Sequence, residues 1–203
     1  MTGALSARAA YARGAATFDT VIGQVRPDQW THSTPCAEWH VRALVNHVVG
    51  EDRWVPPLVA GLTIAEVGDA LAGDLLGADP QLAWDGARHD AEQAVSAAPH
   101  DQTVALSAGP TLLAEYLWQL AADHLIHAWD LATACGLDLV FDDDLTAAVE
   151  DWFTAWEDRY RQAGAIGPRV AVPDGASRQH RLLAAFGRVA ADRVGDLGHR
   201  HGS

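Results

Sequence analysis

Apolar residues recur at helical spacing along nearly the whole chain, with proline and glycine at the breaks, and this restricts the fold to packed helices. Phe18, Val21, Ile22 and Val25 mark a first helix that ends before Arg26-Pro27. Val41, Leu44, Val45 and Val48 mark a second, expected to stop near Pro56-Pro57 because a prolyl ring removes a helical donor. Leu82, Ala87, Ala91, Ala94 and Val95 predict a third, stopping before Pro99. Leu113, Leu117, Leu120, His124 and Leu131 line a fourth, closed by Gly136 as a C-terminal cap. A fifth carries the wide stripe Leu145, Ala148, Val149, Trp152, Phe153 and Trp156, with Asp142–Asp144 where a helix N-terminus favours negative charge. Thr103–Leu106 and Arg169–Pro173 read as short extended pieces, a last short helix runs from Ser177 to about Val189, and Gly198–Ser203 is expected to fray. The fold class is therefore all-α, a bundle with additional short helices and an irregular C-terminal segment packed onto it.

A chain of 203 residues with 49% hydrophobic and 20% charged content suits one soluble domain with a real core. No apolar run approaches bilayer-spanning length, and the first residues lack the apolar core and cleavage site of a signal peptide, so a cytoplasmic protein is expected. The net charge is −13, and all 14 basic residues are Arg. Such acidity speaks against nucleic acid or an anionic membrane as partner, and the absence of Lys excludes Schiff-base chemistry and a Walker-type phosphate loop. Cys36 and Cys135 are too few for a disulfide framework or a four-Cys zinc site. The expected partner is a small-molecule substrate, and the expected assembly a monomer or homodimer.

The chemistry-bearing residues sit on the second and fourth helices. Asp123 and His127 lie four apart and project from one helix face, where they can grip a single ion. His47 on the second helix supplies a third ligand, and three protein ligands leave a coordination position open. A plain helix pair in which a carboxylate holds an imidazole fits Asp123 and His127 equally, and an isolated His on an apolar helix is usually a hydrogen-bonded core residue. His124, three residues before His127, competes with Asp123 for the ligand place, and spacing alone does not separate them. Asp130 lies near the same face, as an acceptor behind a ligating imidazole or as a partner for an Arg. Glu51, one turn beyond His47, is a candidate general base, although a solvent-facing Glu at a helix end is commonplace. Arg181 is a candidate for holding an anionic substrate group. Cys36 reads as packing rather than as a nucleophile, Trp54 as a possible pocket wall, and Trp39 and Trp129 as core.

The segments TPCAEWHVRALVNHVVGE and DHLIHAWDLATACG resemble the signatures of the DinB-like superfamily, and more narrowly its mycothiol-dependent maleylpyruvate isomerase-like branch. GPRVAVPDGASRQHRLLAAFGR (Gly167–Arg188) is similar to the ending of a subgroup. The resemblance implies a four-helix bundle over residues 1–195, a disordered tail over 196–203, and a divalent metal, usually zinc. It places the ligands at His47, Asp123 and His127, choosing Asp123 over His124, which becomes a second-shell or pocket residue with Asp130. This sequence departs from the branch at His40, where Asp is usual at the helix start, and at His180, where an acidic residue is common.

Three functional readings follow. In the first, a zinc enzyme uses a low-molecular-weight thiol, implied by the resemblance to be mycothiol, for thiol transfer or cis–trans isomerisation of a small electrophile. In the second, the same site works without a thiol as a hydrolase, lyase or cyclase. In the third, the helices bind metal or a small ligand without catalysis. Imidazole and carboxylate also serve nickel and iron, so the donor set does not choose among these metals.

Overall fold

The computed structural model describes residues 5–37, 39–164 and 166–190. These form α1 (Ala7–Ile22), α2 (Val41–Val59), α3 (Ile64–Val67), α4 (Pro80–Ala97), the hairpin β1 (Thr103–Leu106) and β2 (Gly109–Leu112), α5 (Leu113–Cys135), α6 (Asp143–Gln162) and α7 (Arg178–Ala185). Short polar side chains start most of the helices. Ser6, Asp79, Asp142 and Ser177 each accept the backbone N–H three residues on, satisfying a donor the helix itself cannot. His40 does the same work at α2, where its Nδ1 accepts from the Ala43 N–H at 3.1 Å. The departure at this position thus keeps the cap. Gly136 ends α5 in the left-handed conformation, at φ 69°.

Helices α1, α2, α4 and α5 make the four-helix bundle: α1 lies along α5, α2 along α4, and α2 also meets α5. One end of the core is built on Phe18, Val48, Trp84 and Leu131, and the other on Tyr11, Val55, Leu58 and Leu117. A third cluster, Leu125, Ile126, Leu145, Val149 and Leu182, seats α6 and α7 on the outer side of α5. The middle of α5 is consequently buried nearly all round. Gly14 makes the α1–α5 approach possible, since a Cβ there would lie 3.0 Å from the Ala121 carbonyl oxygen. Beside it the Tyr11 hydroxyl donates to Asp52 Oδ1 at 2.7 Å, and His124 Nε2 faces Asp52 Oδ2 at 3.2 Å.

Several elements differ from expectation. Helix α2 continues through Pro56 and Pro57 to Val59. The two rings remove donors only from the preceding turn, while the Pro56 carbonyl still accepts from the Ala60 N–H at 2.9 Å. Leu82 is 68% exposed, because the inward register of α4 is set by Trp84, Ala87, Ala91 and Val95. Thr103–Leu106 is extended as expected, but its antiparallel partner β2 was not foreseen. Arg169–Pro173 joins no strand; the Val170 N–H instead donates to the Ala184 carbonyl. Helix α7 stops at Ala185, four residues short of the expected Val189, because Gly187 turns the chain with φ 77°. Residues 196–203, expected to be disordered, lie outside the described residues. No helix among the described residues is long and apolar enough to cross a membrane.

Glu157 ties the C-terminal segment to α6. Its carboxylate receives Arg161 at 2.6 Å and Arg169 at 2.5 Å, and Arg161 also donates to the Ala185 carbonyl at 2.6 Å.

Two predictions follow from these contacts. Gly14→Ala should destabilise the fold by about 1–3 kcal/mol in urea denaturation, because the backbone of α5 blocks the added methyl despite its better helix propensity; unchanged stability would show that α1 can shift. Arg169, against the cost of burial and helped by Arg161, holds the Glu157 carboxyl below its ordinary value. A depressed acid stabilises the fold above its unfolded value, about 4.3, and loses that contribution as pH falls through the folded value. The melting-temperature gap between wild type and Glu157→Gln should therefore be widest near neutral pH and close on acidification.

Candidate metal centre

Helix α2 presents His47, and α5 presents Asp123 and His127 one turn apart, so that the three side chains meet across the α2–α5 contact. Asp123 Oδ1 lies 3.3 Å from His47 Nε2 and 3.3 Å from His127 Nε2. One donor atom from each of the three residues falls within 4.8 Å of the others. Donors about 2.0–2.1 Å from a tetrahedral zinc stand roughly 3.3–3.4 Å apart, so the two measured separations suit a shared cation. Asp123 Oδ2 is buried with no hydrogen-bond partner among the described residues, a state that costs free energy unless a cation or water meets it. The Trp39 indole covers both imidazoles, with ring centroids 4.6 Å from His47 and 5.5 Å from His127.

Behind this trio, His127 Nδ1 faces Asp130 Oδ2 at 3.0 Å. A carboxylate only accepts, so this contact puts a proton on Nδ1 and leaves Nε2 to face Asp123, as a second N–H donor in the imidazolium or, were a cation bound, as its ligand. Asp130 is itself gripped by Arg188, at 3.0 Å from Nε to Oδ1 and 2.6 Å from Nη2 to Oδ2. The third guanidinium nitrogen of Arg188 donates to the Phe186 carbonyl at 3.0 Å.

The electrostatics follow from these distances. Burial disfavours the His127 imidazolium, yet Asp123 and Asp130 outweigh it and push the group up to about 9. Burial also opposes the Asp123 carboxylate, but His127 and His47 hold it well below the usual carboxylate range. Asp130 behaves alike, lowered by His127 and Arg188 against the cost of burial. Glu51 moves the other way: burial and the Asp123 charge raise it. Its Oε1 lies 4.0 Å from His47 Nδ1, too far for a hydrogen bond.

The trio opens onto a cavity of about 360 Å³. His47, Glu51, Asp123 and His127 line one end, and Trp152, Phe153, Tyr160 and Phe186 the other. Asp130 stands where one sequence reading put it, behind an imidazole, and at the same time where the other put it, against an Arg. His124 is turned away from the trio into the bundle, held by Asp52 and ringed by Tyr11, Phe18 and Trp84. Arg181 is not brought to the cavity. Its position on α7 directs it to Glu150 of α6 at 3.3 Å and to the Ala176 carbonyl at 2.8 Å. The guanidinium at the cavity wall is Arg188, delivered there by the turn at Gly187. Trp54 packs in the bundle core, whereas Trp39 and Cys36, read as packing residues, line the cavity. Asp52, Tyr11 and Arg188 carried no local motif, although an unexplained buried His124 and Asp130 required partners of this kind.

The sequence profile described as "Mycothiol maleylpyruvate isomerase N-terminal domain" matches residues 11–132, a span that holds the bundle helices and all three convergent donors. Two proteins of Mycobacterium tuberculosis, uncharacterized protein MT0763 (strain CDC 1551 / Oshkosh) and uncharacterized protein Rv0738 (strain ATCC 25618 / H37Rv), are similar. Each is 32% identical over 144 residues, covering 67% of this chain and 71% of its own length. No solved structure matches the chain. With more than half its length inside the profile, and a four-helix bundle carrying the motif histidines and aspartate, the chain belongs to the DinB-like family of mycothiol maleylpyruvate isomerase N-terminal domains.

Proposed function

We propose that the protein is a metal-dependent enzyme that uses a low-molecular-weight thiol on a small electrophile. The observation that carries this reading is the convergence of His47, Asp123 and His127, with a buried carboxylate oxygen that has no hydrogen-bond partner among the described residues, beside a cavity large enough for a reactant. A divalent ion held by these three residues, zinc in our reading, would stabilise a thiolate at its open position near neutral pH. Family membership supports mycothiol as that thiol.

The chain's own residues then have distinct tasks. Asp130 holds His127 in the tautomer that directs Nε2 inward, and Arg188 keeps Asp130 ionised and oriented. Trp39 and the aromatic end of the cavity exclude water around the reacting atoms. Glu51, raised by burial and by Asp123, lines the cavity beside the trio, where it can accept or return a proton. The reaction class is transfer of the thiol to an electrophilic carbon, or its reversible addition to a carbon–carbon double bond. In the second case addition leaves a single bond, rotation follows, and expulsion of the same thiolate restores the double bond. That sequence isomerises cis to trans and consumes no oxidant or reductant. The raised Glu51 favours a second reading, in which the same centre activates water or a substrate carbonyl for hydrolysis or elimination without a thiol.

Elemental analysis of untagged protein should find one metal per chain, zinc foremost. His47→Ala and Asp123→Ala should lose it, and Asp130→Asn should weaken retention roughly 10–100-fold against a chelator; metal retained in both alanine variants would break the proposed ligand set. Metal-loaded protein mixed with mycothiol and a panel of small electrophiles, charged and uncharged, should consume or isomerise one of them only when the thiol is present. Turnover that ignores the thiol would replace the first reading by the second, and metal binding without either activity would leave a non-catalytic site.

A further inference from the structure

The wall of the cavity facing the trio comes from a different part of the chain than the trio itself. Residues 11–132 supply the donors, while Trp152, Phe153, Tyr160, Ile166 and Phe186 lie outside that span. These rings brace one another before any ligand arrives. Phe153 stacks on Phe186 with centroids 4.1 Å apart, and Trp152 lies 5.9 Å from Tyr160 and stacks on Trp118 at 6.5 Å. The polar edge of Trp152 is already spent, since Nε1 donates to the Glu115 carboxylate at 3.0 Å. What the wall offers a ligand is therefore mainly ring faces and edges, with the Tyr160 hydroxyl as its polar group.

Charge narrows the choice further. Glu51 and Asp123 both line the cavity, and among the described residues Arg188 is the one guanidinium at its wall. All three nitrogens of Arg188 are engaged, two by Asp130 and one by the Phe186 carbonyl. At the aromatic wall a substrate carboxylate would find no uncommitted guanidinium, and would forfeit hydration that the rings do not replace. A cavity of about 150 Å³ already holds benzene, so 360 Å³ accommodates a substituted ring.

We propose that this cavity selects an uncharged substrate with a planar aromatic body, its electrophilic carbon toward the trio, and that the C-terminal part of the chain makes this selection. A small dianion is the class it disfavours. The proposal rests on the trio being the reactive centre, but the wall is built without metal, which lets the two be tested apart.

The test is calorimetric titration of the full chain, both chelator-treated and zinc-loaded, with cinnamamide, cinnamate and maleate. Cinnamamide should bind in both forms, roughly tenfold or more tighter than either anion. Phe186→Ala and Trp152→Ala should each weaken it roughly tenfold while the zinc content stays at the wild-type level. Phe186→Leu, which keeps most of the packing volume, guards against a variant that merely unfolds and should also lose affinity. Ile166→Arg adds an unpaired cation to the wall and should shift preference toward cinnamate. Cinnamamide binding without zinc binding would overturn the metal reading and leave the aromatic selection standing. Zinc binding with no cinnamamide affinity, anions that bind as tightly, or indifference to the Phe186 changes would overturn the proposal itself.

Discussion

Three carboxylates, Glu51, Asp123 and Asp130, crowd around two imidazoles in a partly buried space, with a single guanidinium to answer them. This excess of negative charge is the constraint on which the site depends. Such groups cannot be left uncompensated where water is scarce, because the desolvation cost rises steeply for an unpaired ion. Within the trio, Asp123 stands between two imidazole nitrogens at separations too long for strong charged hydrogen bonds. A proton shared among them compensates in part; a divalent ion compensates fully. The bundle tolerates this arrangement because α5 is clamped by α1, α2 and α6, so that its polar face cannot turn outward.

The helical frame was largely legible in the sequence because helix periodicity and capping are local signals. The first, third, fourth and fifth helices appear near their expected bounds, and Gly136 closes α5 as its conformational freedom predicts. The misreadings have equally specific causes. The two prolines remove helical donors near the end of α2, yet the helix runs two residues past them to Val59. Leu82 fits the apolar spacing of α4 but loses the inward place to the larger Trp84. For the site, the pair four apart on α5 was visible, whereas spacing could not choose between Asp123 and His124. The structure shows why: both meet residues of α2, but Asp123 meets His47, whereas His124 is taken up by the fully buried Asp52. Arg188 and Arg181 were indistinguishable in sequence, since the difference between them is a turn at Gly187 and a partner 58 residues away.

The chain thus divides its labour along its length. Residues 11–132 carry the three convergent donors and match the family, and later residues add the aromatic part of the cavity wall. The division is not clean, because Arg188 crosses back to fix Asp130, and Asp130 fixes His127. Changes in that part of the wall that displaced Arg188 would be felt as a change in the basicity of His127 Nε2, even though no residue of it touches that nitrogen.

That return contact also gives the site an order of assembly. A chain leaves the ribosome from its N-terminus, and the four bundle helices are complete once residue 135 has emerged. His47, Asp123 and His127 can then meet, and Asp130 already faces His127 from the next turn, but the guanidinium that grips Asp130 lies 58 residues further on. The final orientation of the centre therefore depends on a residue made 58 positions after the aspartate that it holds.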